Sequence, residues 1–170
     1  YLPEAEPNGE AASMDLAIVS GRGPRLLADI EGLGPLMRDE DIVAFGYRDT
    51  ADQLKYGSQD VRATSIHAFP IELISKTGAV QAAKLALERL DFDLLKGLWI
   101  HVDADVLNDA IMPAVDYRMP DGVNWDELSG VLQVLMASGY VVGINIGIFN
   151  PRLDATGSIA QRFAKCLAEG

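Results

Sequence analysis

Short apolar stretches separated by polar ones run through the first half of the chain and predict brief secondary-structure elements. The runs 42–47 and 65–71 have the length of strands, and Pro70 marks the end of the second run. The apolar segment 13–20 is stopped by Gly21. Its periodicity alone does not decide between strand and helix, and we favour a helix there.

Helical and strand-like patterns alternate in the second half. The segment 77–90 predicts an amphipathic helix, because apolar residues recur in it at helical spacing. These residues are Val80, Ala83, Leu87 and Leu90. The continuous apolar run 98–102 is typical of a strand buried on both faces of a parallel sheet. Asn124 and Glu127, three residues apart, have the spacing of an N-cap and predict the start of another helix. The apolar segment 141–149 predicts a last strand. A final helix carries an apolar stripe of Ile159, Phe163, Cys166 and Leu167.

The predicted order of elements is β-β-α-β-α-β-α, which indicates an α/β fold around a mostly parallel sheet. No linker or internal repeat divides the 170 residues, so we expect a single domain. Ligands of such sheets bind beyond the carboxyl ends of the strands. Residues that follow Val102 and Phe149 are therefore the first candidates for chemistry.

Charge and composition narrow the range of partners. Lys and Arg number 14 against 25 Asp and Glu, for a net charge of −11, and no basic cluster is present. Nucleic acids and anionic membrane surfaces are therefore not expected as partners. No apolar run approaches the roughly 20 residues of a membrane helix. The single cysteine excludes an intramolecular disulfide, so we expect a cytoplasmic location.

Asp103 and Asp105 follow the apolar run 98–102, and residues two apart in an extended chain project to the same side. Two carboxylates that close repel each other, so either one pKa rises or a cation lies between them. Oxygen ligands of this kind suit hard divalent cations. The alternative is that one Asp caps a turn and the other is solvated. The loop 106–123 that follows is long, and such loops are usually functional.

The run 99–128, WIHVDADVLNDAIMPAVDYRMPDGVNWDEL, resembles the arginase (ureohydrolase) family at its second metal motif. The shared features are a strand, Asp-x-Asp, an Asn-Asp-Ala-x-x-Pro-Ala loop, and a Glu-bearing helix start. Three more segments, 3–14, 46–49 and 143–154, are similar to other parts of the family. The Asp-x-Asp region is specific, whereas each of the other segments is weak by itself.

The resemblance implies a three-layer α/β/α domain with a mostly parallel sheet, of which 1–170 would be one part with the N-terminal portion missing. It implies two Mn²⁺ ions and a bridging hydroxide that attacks a linear amidine, either guanidino or formimino. Asp103 would bridge both ions and Asp105 would ligate one. Asn8 would contact the substrate head group. Partners would be a small-molecule substrate and further copies of the chain in a homo-oligomer.

The chain also departs from the family pattern. The other four metal ligands lie in Gly-Gly-x-His and Asp-x-His-x-Asp motifs, and neither motif occurs here. Ala12 aligns with the family's proton-shuttling His, and Ile148 aligns with the acid that holds a guanidinium. The resemblance therefore assigns no catalytic residue and leaves agmatinase-like and formiminoglutamase-like substrates open.

Two other functions fit the same residues. In haloacid-dehalogenase-type phosphatases, a strand precedes an Asp-x-Asp in which Asp103 would be the nucleophile and Asp105 the general acid. That motif normally opens its domain, whereas here it lies past the middle. The second alternative is a degenerate relative that binds metal without catalysis.

The remaining candidate side chains have structural interpretations. We expect His67 to be a hydrogen-bonded residue within or at the end of its strand. His101 shares the face of Asp103 and would line the site without binding metal. Trp99 and Trp125 are expected to pack, and Cys166 to be a small core residue.

Overall fold

The computed structural model describes residues 1–170, which divide into two compact units, Tyr1–Ala68 and Phe69–Gly170. The first unit combines short helices with a small sheet. Its elements are α1 (Asp15–Val19), α2 (Arg25–Ala28), β1 (Val43–Phe45), α3 (Thr50–Lys55) and most of β2 (His67–Phe69). β1 and β2 form a two-stranded sheet. Met14, Ala17, Ile42 and Ile66 are buried in this unit.

The second unit contains longer helices around a parallel strand pair. Its elements are α4 (Ile71–Thr77), α5 (Ala79–Leu87), β3 (Leu98–Asp103), α6 (Trp125–Ala137), β4 (Val141–Gly147) and α7 (Ser158–Glu169). β3 and β4 run parallel, with Asp103 opposite Gly147 at their carboxyl ends. α6 packs against both α5 and α7. No helix of the chain is long and apolar enough to cross a membrane.

Most predicted elements are confirmed, with one correction in the helical region. The segment 13–20 is helical, and both early strands are present but shorter than predicted. The predicted helix 77–90 begins two residues later, because Gly78 adopts φ +86 and separates α5 from a helix that was not predicted, α4. The sequence pattern assigned the start of α4 to the preceding strand. Pro70 in fact precedes the first turn of α4.

The buried face of α5 differs from the predicted stripe. Four alanines form it, while Val80 is 41% exposed and Leu87 is half-buried. The buried alanines are Ala79, Ala82, Ala83 and Ala86. α6 packs against α5 at Gly130, where an added Cβ would come within 2.8 Å of Val80 Cγ2.

The prediction that β3 is buried on both faces is wrong. Ile100 and Val102 are buried, whereas Trp99 is 61% exposed and His101 is also exposed. This alternation is the pattern of a strand with one packed face. A continuous apolar run cannot distinguish the two cases when an aromatic residue and a histidine occupy the other face.

The predicted N-cap of α6 is confirmed as a full capping box. Glu127 N donates to Asn124 Oδ1 at 2.9 Å, and Asn124 N donates to Glu127 Oε2 at 2.8 Å. Trp125 packs against Phe163 of α7, with ring centroids 5.9 Å apart. The packing roles expected for Trp125 and for the stripe of the last helix are therefore confirmed at these positions.

An ion pair links two loops of the first unit. Arg22 donates to Asp39 through both terminal nitrogens, Nη1 to Oδ1 at 2.7 Å and Nη2 to Oδ2 at 2.5 Å. These hydrogen bonds hold the pKa of the Asp39 carboxyl below its ordinary value of 3.8 and raise the pKa of Arg22. Hydrogen bonds from Arg62 lower the pKa of Asp60 in the same way.

Candidate metal centre

The Asp-x-Asp pair lies at the carboxyl edge of the β3–β4 sheet. Asp103 ends β3, and Asp105 lies in the 3₁₀ turn Ala104–Val106 that follows. Asp105 N donates to Asp103 Oδ1 at 3.2 Å, so Asp103 caps this turn. Both residues are half-buried. The expectation rested on an extended chain in which the two side chains project to the same side, and that premise is wrong, because the chain turns after Asp103.

Asp103 can cap the turn and still bind a metal ion. A carboxylate offers about four lone-pair sites, and one accepted N–H uses one of them. The two carboxylates therefore suit part of the oxygen shell of a hard divalent cation. The chain gathers no group of three or more His, Cys, Asp and Glu side chains that could hold a metal ion. The donor chemistry fits, and the number of donors falls short of a complete site.

The loop 106–123 is tied shut at its base. Asn108 N donates to Val123 O, and Val123 N donates to Val106 O, both at 3.0 Å. Within the loop, Met112 and Val115 are fully buried. These contacts give the segment that follows the carboxylates a defined structure. The length of the loop signalled its importance, but the sequence pattern did not reveal the closure.

The segment after β4 docks on this loop. Phe149 forms an isolated antiparallel bridge with Val115, and Asn150 N donates to Ala114 O at 2.8 Å. The side chain of Asn150 donates to Asp116 Oδ1, also at 2.8 Å. The two strand ends that the fold class singled out are thus joined through the loop.

A polar network lies on the more exposed face of the β3–β4 sheet. Trp99 Nε1 donates to Asn145 Oδ1 at 2.8 Å, and Asn145 Nδ2 lies 2.7 Å from His101 Nδ1. Donation from Asn145 makes His101 Nδ1 the acceptor. His101 and Asp103 lie two residues apart on β3 and so share one face of the strand, while a role for His101 in lining the site stays a prediction. Asn145 was missed, and its only signal was a polar residue within the apolar run 141–149.

The first unit contains the other predicted residues. Asn8 lies in an exposed loop, where its backbone N donates to Glu6 Oε2 at 2.8 Å. Ala12 is exposed in a 3₁₀ turn. Since Asn8 and the carboxylates belong to different units, a substrate-binding role for Asn8 stays a prediction. His67 Nε2 lies 3.1 Å from Glu40 O, which confirms the hydrogen-bonded strand residue.

Comparison with known proteins decides the family. A family model described as the Arginase family matches residues 30–169, most of the chain. The chain belongs to the arginase family. The matched residues include the Asp-x-Asp region. The match therefore favours the ureohydrolase scaffold over the phosphatase alternative.

Similar proteins of known sequence include bacterial arginases. An arginase of Staphylococcus aureus is 26% identical over 161 residues, which cover 95% of this chain and 52% of that protein. The arginase of Bacillus subtilis is 24% identical over 168 residues, 96% of this chain and 55% of that protein. The chain thus spans about half the length of the curated relatives that it matches.

Solved arginase-family structures share the fold. The arginase of Bacillus cereus superposes with a TM-score of 0.84 at 23% identity, covering 98% of this chain and 55% of that one. The agmatine ureohydrolase of Thermoplasma volcanium gives a TM-score of 0.64 at 22% identity, over 84% of this chain and 45% of that one. The predicted arginase-like α/β fold is confirmed. The strands of this chain lie in two separate two-stranded sheets.

Proposed function

We propose that this chain forms part of a binuclear manganese hydrolase that cleaves a C–N bond of a linear amidine, guanidino or formimino. The observation that carries the proposal is the Asp103–Asp105 pair at the carboxyl edge of a parallel sheet, inside the region matched to the arginase family. The agmatine ureohydrolase of Thermoplasma volcanium and the formimidoylglutamase of Bacillus subtilis, both similar in structure, support an amidine-like substrate.

In this proposal Asp103 and Asp105 would hold the metal, with Asp103 serving both Mn²⁺ ions and Asp105 one of them. Such a pair of ions supplies Lewis-acid polarisation and a water of lowered pKa. The N–H of Asp105 orients the carboxylate of Asp103 through the turn at the end of β3.

The two carboxylates do not complete a metal site, so we propose that the remaining ligands come from an N-terminal portion of the domain outside these 170 residues. The span of about half of the relatives' length supports this. A small-molecule substrate, a homo-oligomeric assembly and a cytoplasmic location belong to the same proposal, and each stays a prediction.

Metal analysis of the full-length protein tests the proposal. After incubation with Mn²⁺, we expect close to two ions per chain. Asp103→Asn should lose metal more severely than Asp105→Asn, because a bridging carboxylate serves both ions. The exposed Asp93→Asn is the matched control and should bind like the wild type. Equal losses in the two site variants would contradict the bridging assignment.

Substrate screening separates the remaining functions. Urea or formamide release from guanidino or formimino compounds is the expected result. Phosphate release from phosphate esters would instead favour the phosphatase alternative. Two bound ions with no turnover of any of these compounds would indicate the degenerate metal-binding relative.

A further inference from the structure

A short segment of the first unit, 26–37, exposes apolar side chains to solvent. All of its large apolar residues lie at the surface, while the small Ala28 is buried. This inverts the usual arrangement, in which large apolar residues are the buried ones. The exposed residues are Leu26 (88%), Leu27 (41%), Ile30 (48%), Leu33 (66%), Leu36 (46%) and Met37 (43%).

Contacts at both ends hold this segment in a closed loop. The Arg22–Asp39 ion pair joins the flanking residues, and Met37 N donates to Val19 O at 2.9 Å. Inside the loop, Gly34 N donates to Asp29 Oδ1 at 3.1 Å. Because the ends meet, the six apolar residues lie close together and form one surface patch, the 26–37 patch. Its backbone is ordered before a partner binds, which lowers the entropic cost of association.

The size of the 26–37 patch matches the apolar part of a protein–protein interface. The exposed fractions equal about three whole side chains, on the order of 400 Å² of apolar surface. A standard interface buries about 800 Å² on each partner, of which somewhat over half is apolar. An exposed apolar patch of this size is often an interaction site.

Charge favours a second copy of the chain as the partner. The chain carries a net charge of −11, so two copies repel each other over much of their surface. The segment 25–38 has no net charge, because its two arginines balance its two acids, Asp29 and Glu31. Another copy can therefore approach the 26–37 patch without this repulsion, whereas a strongly charged partner finds no excess of opposite charge there.

We propose that the 26–37 patch is the interface between two copies of this chain, related by a two-fold axis. Such a contact uses the same patch on both copies, so each apolar surface covers the other. The inference rests on the homo-oligomeric assembly within the proposed function and assigns a surface to it. Self-association requires neither metal nor substrate, so this inference can fail while the hydrolase proposal holds.

Sedimentation velocity of the full-length protein tests the interface. The wild type should form a dimer as its concentration rises. Leu33→Glu places two like charges at the contact and should raise the dimer dissociation constant about tenfold or more. Leu54 is also an exposed leucine of the first unit, so Leu54→Glu is the matched control and should leave the constant unchanged. A wild type that stays monomeric, or an unchanged constant in Leu33→Glu, would overturn the inference.

Thiol labelling with an aromatic disulfide reagent identifies what covers the patch without adding a charge. Cys166 is buried, so a cysteine introduced at the surface is the reporter. Leu26→Cys should react about tenfold or more slowly as a dimer than as a diluted monomer, while Leu54→Cys should react equally fast in both. Slow reaction of Leu26→Cys in the monomer would place the patch beneath another part of its own chain. Fast reaction in the dimer would place the contact elsewhere, and either result would overturn the inference.

Discussion

Cys166 shows how a residue's surroundings decide its chemistry. It is 1% exposed, and its Sγ donates to Trp125 O at 3.3 Å. Burial raises the pKa of the thiol above its ordinary value, because removal from water disfavours the thiolate. The thiolate is the reactive form of cysteine. The expectation of a core residue is thereby confirmed.

Thiol labelling checks the consequence. Native protein at pH 8 should react with an aromatic disulfide reagent about tenfold or more slowly than protein unfolded in guanidinium chloride, because both the raised pKa and burial slow the reaction. A Cys166→Ala protein provides the blank. Equal labelling rates in the native and unfolded protein would show that the thiol is accessible.

Some features of single residues could be predicted from the sequence and others could not. Asp103 and Asp105 were identified from their spacing after an apolar strand. Their joint position at a sheet edge follows from the fold class. The cap that Asp103 makes on the next turn was the alternative that the sequence offered to a cation site, and it is a local contact between residues two apart. The positive φ of Ile148 could not be predicted from residue type, since a β-branched residue rarely adopts it. Asn145 joins Trp99 and His101 only because β4 lies beside β3.

At the scale of helices and strands, local signals were the most informative. The capping box at the start of α6 was predicted because it depends on two residues three positions apart. The break between α4 and α5 was missed, although Gly78 marks it, because apolar spacing runs across it. Of the stripe predicted for this segment, Ala83 and Leu90 are buried, whereas Val80 is exposed and the buried face of α5 consists of alanines.

The capping box gives a measurable contribution to stability. Asn124→Ala should lower the free energy of unfolding by about 1 kcal/mol, because the N–H of Glu127 loses its acceptor. Urea denaturation followed by circular dichroism measures the change. Asn124→Asp, which keeps an accepting oxygen, is the control and should stay near the wild type. An alanine variant as stable as the wild type would show that the cap is redundant.

At the scale of the whole molecule, the two compact units carry different functional groups. The first unit carries Arg–Asp ion pairs that shift carboxyl pKa values, and the second carries the candidate metal ligands. The α/β class and the strand order along the chain were predictable from alternating patterns. The division of the strands into two separate sheets was not, because pairing partners are not encoded in local periodicity.

The ion pair of the first unit predicts how stability changes with pH. The pKa of Asp39 is lowered on folding. The ionised carboxylate therefore contributes to the free energy of unfolding at pH values above the ordinary carboxyl pKa near 4. This contribution is lost as the pH falls further, toward and through the lowered folded pKa. Asp39→Asn should therefore flatten the fall in unfolding free energy as the pH drops below about 4.

Denaturant titrations at several pH values give the comparison. Asp93 is exposed, so Asp93→Asn is the control. Its unfolding free energy should fall with decreasing pH as steeply as that of the wild type. An unchanged slope in Asp39→Asn would mean that other carboxyl groups control the acid response.

The parallel pair β3–β4 has a practical consequence for handling the protein. Each of these strands pairs within a sheet only with the other, so backbone groups along both outer edges can accept a further strand. Val142, Ile144 and Ile146 add exposed apolar surface on one face of β4. Open, apolar strand edges recruit strands from other molecules. These 170 residues produced alone should therefore self-associate as their concentration rises, and light scattering over a dilution series would reveal it.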